Sequence, residues 1–275
     1  MHTSPDMLEH LGRVAEESAR AAAVVALSGF RGEMEVRSKG RKDLVTEFDT
    51  AAEDRAVAII KRHFPEHGIL AEESGASYEE HATPRYLWAI DPIDGTHNYA
   101  MQLPYWCCSV AVIDSVEKVV LAAAVCDPVH EETFLAKAGR GAFLNGKPMK
   151  VAALNDIEDA TLAFDIGYDP DISSRMLDLT AVVQPRVRRV RLLGSAVLAL
   201  TYVAAGRFDA YYHLNLNPWD IAAASLLVKE AGGLVTDWDG KEAGATGGDV
   251  AAANPILHPQ LLRLLGSSKK HPLSE

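Results

Sequence analysis

The sequence is short of cysteine, of long apolar runs and of positive charge, and each shortage narrows what the chain can be. Its three cysteines, Cys107, Cys108 and Cys126, cannot all pair within one chain and show no Cys-x-x-Cys spacing. Buried, reduced thiols in a cytoplasmic protein are therefore expected in place of a disulfide framework or a thiolate metal site. No apolar run approaches the ~20 residues that cross a bilayer. The longest candidates, Ala21 to Leu27 and Val119 to Cys126, are short and rich in alanine. Met1 to Glu9 contain no basic region followed by an apolar stretch, so no secretory signal is expected. Against 38 Asp plus Glu stand only 27 Lys plus Arg, a formal net charge of −11. That balance does not steer a protein toward nucleic acid or an anionic membrane. An acidic protein that handles anions needs metal ions to do so.

What is present reads as globular. The chain has 275 residues, 48% hydrophobic and 24% charged, long enough for one large domain or two small ones and too apolar for disorder. Helical spacing of Leu8, Leu11, Val14, Ala15, Ser18, Ala22 and Val25 predicts an opening helix from Met7 to Leu27, closed by Gly29. The polar stretch Arg31 to Lys42 reads as a hairpin or loop, and a second helix is predicted to His63, capped by Thr50 with Glu53 three residues on. Gly68 to Ala71 and Tyr86 to Ile90 read as buried strands ending at acidic residues. From Tyr105 to Lys150 the pattern is a β-meander, and Asn145-Gly146 is a hairpin turn. It changes between Lys150 and Asp159, beyond which strands and helices alternate, so lobes 1–152 and 153–266 are expected, with a frayed tail 267–275.

Three motifs are decoys. Gly141 to Lys147 matches the first seven positions of a phosphate-binding loop, yet Pro148 stands where a Ser or Thr is required and a strand-like segment follows. His63 and His67 have zinc-helix spacing, interrupted by Pro65. No Gly-x-Gly-x-x-Gly follows a strand, so a dinucleotide site is unsupported.

The informative segment is Trp88-Ala89-Ile90-Asp91-Pro92-Ile93-Asp94-Gly95-Thr96. An apolar strand delivers Asp91, Pro92 interrupts regular pairing, and Gly95 permits a tight turn that brings Asp94 back beside Asp91. Two converging carboxylates repel unless a cation lies between them. The amides after Gly95 and Thr96 suit an oxyanion or phosphate, and the combination suits metal-assisted phosphoryl transfer. Blander readings stand beside this one. Asp-Pro and Asp-Gly are ordinary turn words, Glu72 and Glu73 fit a solvated helix start, Asp49 fits a cap, and Asp220 fits the N-cap of a helix from Ile221 to Ala231.

Taken together, DLVTEFD at Asp43 to Asp49, AEES at Ala71 to Ser74, WAIDPIDGT at Trp88 to Thr96, GAFLNG at Gly141 to Gly146, GSA at Gly194 to Ala196, PWDIAAA at Pro218 to Ala224 and EAGG at Glu230 to Gly233 resemble, in order, the inositol monophosphatase family of Mg²⁺-dependent, lithium-sensitive phosphomonoesterases. The resemblance implies a two-lobed, layered α-β-α-β-α sandwich of the sugar-phosphatase type, an α+β fold with the metal site between the lobes. It also implies an enzyme that hydrolyses a small sugar or polyol phosphate without a phosphoenzyme. Inositol-1-phosphate is the lead substrate; histidinol phosphate, fructose-1,6-bisphosphate and 3′-phosphoadenosine nucleotides are rivals. A homodimer acting on a small-molecule phosphate ester is implied, while the charge balance gives no nucleic-acid or membrane partner. A retired, metal-binding interaction protein is the alternative of another class.

Residue by residue, the resemblance places Glu72, Asp91 and the Ile93 carbonyl on a first Mg²⁺, Asp91, Asp94 and Asp220 on a second, and a weaker third near Glu72. Glu72 and Thr96 would activate the water, supported by Asp49. Asp94, Gly95, Thr96, Ser195, Ala196 and His213 would contact substrate or phosphate. Inositol-specific members carry an acid where His213 stands, a departure that bears on substrate choice. Lys39, Arg41 and Lys42 fall in the loop that closes over the metals in relatives.

Overall fold

The computed structural model describes residues 3–40, 43–78 and 83–268. Arg41, Lys42 and the tail from 269 onward lie outside the described residues, as does the Lys39 side chain. Helix α1 (Pro5–Gly29) begins two residues before the predicted start, because Ser4 caps it by accepting the Met7 amide at 3.2 Å and Pro5 suits the first turn. Strands β1 (Val36–Gly40) and β2 (Asp43–Thr46) pair antiparallel. Helix α2 (Glu47–His63) starts three residues earlier than Thr50. Thr46 is its cap, and Asp49 completes the capping box by accepting the Thr46 amide at 2.7 Å. Thr50 and Glu53 are therefore interior helix residues.

The first sheet is built from β3 (Gly68–Ala71), β4 (Gly75–Ala76), β5 (Tyr86–Asp94), β6 (Cys107–Asp114), β7 (Val119–Asp127), β8 (Glu132–Lys137), β9 (Ala142–Leu144) and β10 (Lys147–Pro148), with helix α3 (Thr96–Ala100) between β5 and β6. Its order is β10-β9-β8-β7-β6-β5-β3-β4, and only β3 and β5 run parallel. Asn145 and Gly146 take φ values of 48° and 75° in the β9–β10 turn, as a tight two-residue hairpin requires. His63 faces His10 and His67 accepts a hydrogen bond from Trp88, so the two zinc-spaced histidines do not share a site.

The second sheet takes β11 (Thr161–Phe164), β12 (Arg189–Leu192), β13 (Ala210–Leu216), β14 (Leu234–Thr236) and β15 (Gly248–Ala253) in the order β12-β11-β13-β15-β14. Helices α4 (Pro170–Val183), α5 (Ala196–Ala204), α6 (Pro218–Glu230) and α7 (His258–Ser268) complete the chain. Strand β15 and helix α7 were not anticipated. Val250 to Ala253 is mostly alanine, a poor strand former by itself; pairing with β13 on one side and β14 on the other makes it a strand.

Period-two alternation sorts the side chains into layers. Trp88, Ile90, Val110 and Val112 pack against α1 and α2 on one face of the first sheet. Leu87, Ala89, Ala111 and Ile113 pack on the other face against α5 and α6. Ala163, Tyr211 and Ala252 of the second sheet meet α5 and α6 from beyond, and its far face, with Leu162 and Tyr212, packs on α4 and α7. Helices α5 and α6 are thus apolar nearly all round because sheets cover both sides. Among the described residues no helix is long and apolar enough to cross a membrane.

Close packing at the α1 C-terminus makes a first prediction. A Cβ on Gly29 would collide with the Phe48 ring, one residue before Asp49. Gly29→Ala should cost about 1–3 kcal/mol by overpacking. The thermal midpoint should then fall by about 2–4 °C per kcal/mol in a chain of this size; an unchanged midpoint would show that the ring moves freely.

Candidate active site

Because β3 and β5 run parallel with Ala71 opposite Ile90, their carboxyl ends deliver Glu72 and Asp91 to the same edge of the sheet. The Glu72 amide donates to the Ile90 carbonyl at 3.1 Å, which fixes the turn as it leaves the sheet. Strand β5 does not stop at Pro92. It pairs Asp91 with Ser109, slips register across Pro92-Ile93, and pairs Asp94 with Cys107. That bulge re-aims the chain and absorbs the missing proline donor. Gly95 then takes φ +96°, and a Cβ there would stand 3.1 Å from the Gly194 carbonyl and 3.2 Å from that of Tyr105. Only glycine satisfies both the conformation and the approach.

Asp220 reaches the same place from α6. It is not the N-cap: Asn217 is, and Asp220 is the third helical residue of a capping box. Its Oδ2 accepts both the Asn217 amide at 2.8 Å and the Asn217 side-chain amide at 3.2 Å. The helix starts earlier than expected because Pro218 is compatible with a first turn.

A cavity of about 470 Å³ opens between these segments, lined by Glu72, Asp91, Ile93, Asp94, Gly95 and Thr96 from the first half of the chain. Ala196, His213 and Asp220 line it from the second half. Ser195 and Asp49 stand behind this wall. The buried Ser195 hydroxyl donates to Asp94 Oδ2, which also accepts the Val197 amide at 3.0 Å. Ser195 therefore holds Asp94 and does not face the cavity. Asp49 Oδ1 accepts from the Thr96 hydroxyl at 3.0 Å, while Asp49 Oδ2 stays with Thr46. The one Thr96 proton is shared between Asp49 and the Ile93 carbonyl, also at 3.0 Å.

Burial makes this cluster electrostatically uncomfortable. It raises the Asp91 carboxyl well above the usual carboxylate range, and Glu72, Asp94 and Asp220 raise it further. Burial lifts Asp220 to about 8. Asp94 is lifted by burial to about 6, held down by its bonds to Ser195 and the α5 amides. Asp91 Oδ1 is buried without any protein hydrogen-bond partner, a costly state for a carboxylate oxygen. No three His, Cys, Asp or Glu side chains among the described residues are grouped to hold a metal ion as they stand; Glu72, Asp91, Asp94 and Asp220 line one cavity. An orphaned carboxylate oxygen amid an all-oxygen donor set fits a hard divalent cation.

The sequence reading missed Asp165, Tyr168, Asn215 and Trp219, which also line the cavity. Asp165 follows β11 and accepts the Gly194 amide at 2.7 Å; burial lifts it to about 7. A contact spanning 29 residues leaves no local spacing to read. His213 is buried, and burial lowers it to about 4, so its ring is neutral at pH 7.

Ser195→Ala tests the support of Asp94. It removes a donor from a buried carboxylate, a loss of about 1–3 kcal/mol, so kcat should fall about 10-fold. A kcat indistinguishable from wild type would show that Asp94 needs no such holder.

Similarity to known proteins bears on the same residues. The inositol monophosphatase family description matches residues 7–270. The chain belongs to the inositol monophosphatase family. Inositol monophosphatase 1 of Solanum lycopersicum is 35% identical over 95% of this chain and 97% of its own. The structure of an inositol monophosphatase from Anabaena superposes with a TM-score of 0.83 at 35% identity, covering 94% of this chain and 96% of that one. A structure of an IMPase/NADP phosphatase complexed with Mg²⁺ and phosphate has a TM-score of 0.76 at 29% identity, covering 89% of this chain and 90% of that one. The layered α+β fold is that of the family, and as a member the chain is an enzyme, a phosphoric monoester hydrolase.

Proposed function

We propose that the protein hydrolyses a small sugar or polyol monophosphate, with inositol-1-phosphate as lead substrate, and depends on two or three Mg²⁺ ions. The observation that carries this reading is the buried, partnerless Asp91 oxygen among Glu72, Asp94 and Asp220. Glu72, Asp91, the Ile93 carbonyl, Asp94 and Asp220 would hold the ions. Bound there, Mg²⁺ would neutralise the acids, polarise the phosphate and make a water easier to deprotonate. The protein's own share is positioning. Asp49 takes the Thr96 proton in a hydrogen bond and so turns the hydroxyl lone pairs toward a water, whose proton Glu72 receives. The Gly95 and Thr96 amides hold phosphate oxygens. The water oxygen forms a bond to phosphorus as the ester oxygen leaves and takes up a proton, giving free alcohol and inorganic phosphate with no phosphoenzyme.

Among the described residues lining the cavity there is no Lys or Arg. His213, in the cavity lining, has a neutral ring with one donor and one acceptor for a substrate hydroxyl. His213→Glu should shift the preference toward inositol-1-phosphate, measured as kcat/KM against histidinol phosphate; an unchanged ranking would remove His213 from the substrate site. The reading as a whole is tested by phosphate release from a panel of monophosphates and bisphosphates with and without Mg²⁺. Turnover is expected only with Mg²⁺ and fastest on inositol-1-phosphate, and metal-independent turnover would overturn it. Homodimer formation, implied by the resemblance, is tested by sedimentation.

A further inference from the structure

Glu53 does not serve the cap of α2. It lies in the interior of α2 with 3% of its surface exposed. No Lys or Arg among the described residues pairs with it. Its two oxygens instead divide between consecutive amides of the turn that follows Glu72: Oε2 accepts from Glu73 at 2.8 Å and Oε1 from Ser74 at 2.9 Å. With the Glu72 amide tied to Ile90 of β5, the main chain is pinned on both sides of the Glu72 side chain. Four residues earlier, on the same face of α2, Asp49 holds Thr96.

We propose that Glu53 is a positioning residue that aims Glu72, so that one acidic face of α2 sets both groups flanking the water, Thr96 through Asp49 and Glu72 through Glu53. The inference rests on the function proposed above. It explains why a carboxylate, expensive to bury, stands mid-helix. Two N–H donors that reach separate oxygens need both oxygens of a carboxylate, and of the side chains of this length only glutamate has them; glutamine replaces one oxygen with an NH₂ group, which donates. The bonds are charge-assisted and so hold the turn firmly.

Glu53→Gln separates positioning from plain stability. It leaves one buried amide facing an NH₂ group. Mg²⁺ affinity, measured calorimetrically without substrate, and kcat should each fall about 10–100-fold, as when a holder of a metal ligand is lost. KM should stay within about twofold, since substrate binding is not what Glu53 shapes. Ile60→Val, buried in the same helix, should lower stability by the cost of one lost methyl group and leave Mg²⁺ affinity within about twofold of wild type. In a Glu72→Gln background, adding Glu53→Gln should cost less than about twofold more in Mg²⁺ affinity, because the two act through one group. If Glu53→Gln does not fold, Glu53→Asp, which keeps the charge but falls a methylene short, should show the same loss to a smaller degree. Wild-type Mg²⁺ affinity and kcat in the variant, or an equal loss with and without Glu72, would overturn the proposal. A wild-type protein that neither binds Mg²⁺ nor releases phosphate would instead overturn the function on which it rests.

Discussion

Asp91→Asn should abolish phosphate release while leaving the protein folded, and should make its metal-free form more stable than wild type. Asp91 sits in the middle of the acids: burial, Glu72, Asp94 and Asp220 all oppose its charge. The same position makes it one of the acids that would hold the proposed cations. Losing it would forfeit several kcal/mol of transition-state charge stabilisation. At 1.36 kcal/mol per tenfold, a loss of at least about 10³ in kcat follows. Stability should move the other way. Asparagine is isosteric, carries no charge to desolvate, and offers an NH₂ group that Glu72 or Asp94 can accept. Phosphate release at saturating Mg²⁺ reads the first effect, and the thermal midpoint in excess chelator reads the second. Retention of more than about a tenth of wild-type turnover would remove Asp91 from the centre of the site.

The acids at strand ends were legible because strands declare themselves by apolar runs, and an acid at the end of such a run has little reason to be there. Glu72, Asp91 and Asp94 all come from that logic, sharpened by the Pro92 and Gly95 that break the strand. Where the sequence reading slipped, it slipped twice in the same way. Both α2 and α6 were started about one turn late, at Thr50 and Asp220. In each case the true cap, Thr46 or Asn217, lies one turn upstream of an aspartate that serves as the third helical residue. A capping box is reciprocal, so its aspartate can be mistaken for the cap, as Asp220 is in α6; in α2 the whole box lies upstream of Thr50, whose spacing to Glu53 imitates a box of its own. The error matters functionally. Asp49 and Asp220 each spend Oδ2 on their cap, which orients the carboxylate, and Asp49 turns Oδ1 to Thr96. Asp165, the Ser195 bond to Asp94 and the Glu53 clamp were invisible because their partners lie 20 to 101 residues away. Such contacts follow from the packing of layers and leave no periodic trace in the sequence.

The metal-free protein should lose stability as pH rises from 7.0 to 8.5, and Mg²⁺ should reverse the slope. In the folded chain Asp220 is raised to about 8 from a usual 3.8, and Asp91 is raised well above the same value. Between those limits the folded state binds more protons than the unfolded one, so unfolding becomes easier with each increment of pH until the folded groups have ionised. The buried histidines work in the opposite sense. His67 and His213 are lowered to about 4 from 6.5, so their contribution grows as pH rises and is nearly complete by pH 7. Above pH 7 the carboxylates therefore decide the sign. A loss of even about 1 kcal/mol would lower the midpoint by about 2–4 °C in a chain of this size. The proposed Mg²⁺ would bind the ionised acids, so its stabilisation, which grows with the ratio of free ion to Kd, should be larger at pH 8.5 than at 7.0. Asp220→Asn should flatten the metal-free slope without touching the histidine limb below pH 6.5. A metal-free midpoint that stays level or rises between pH 7.0 and 8.5, followed by scanning calorimetry in chelator, would mean that these acids are not held apart from water as their burial requires.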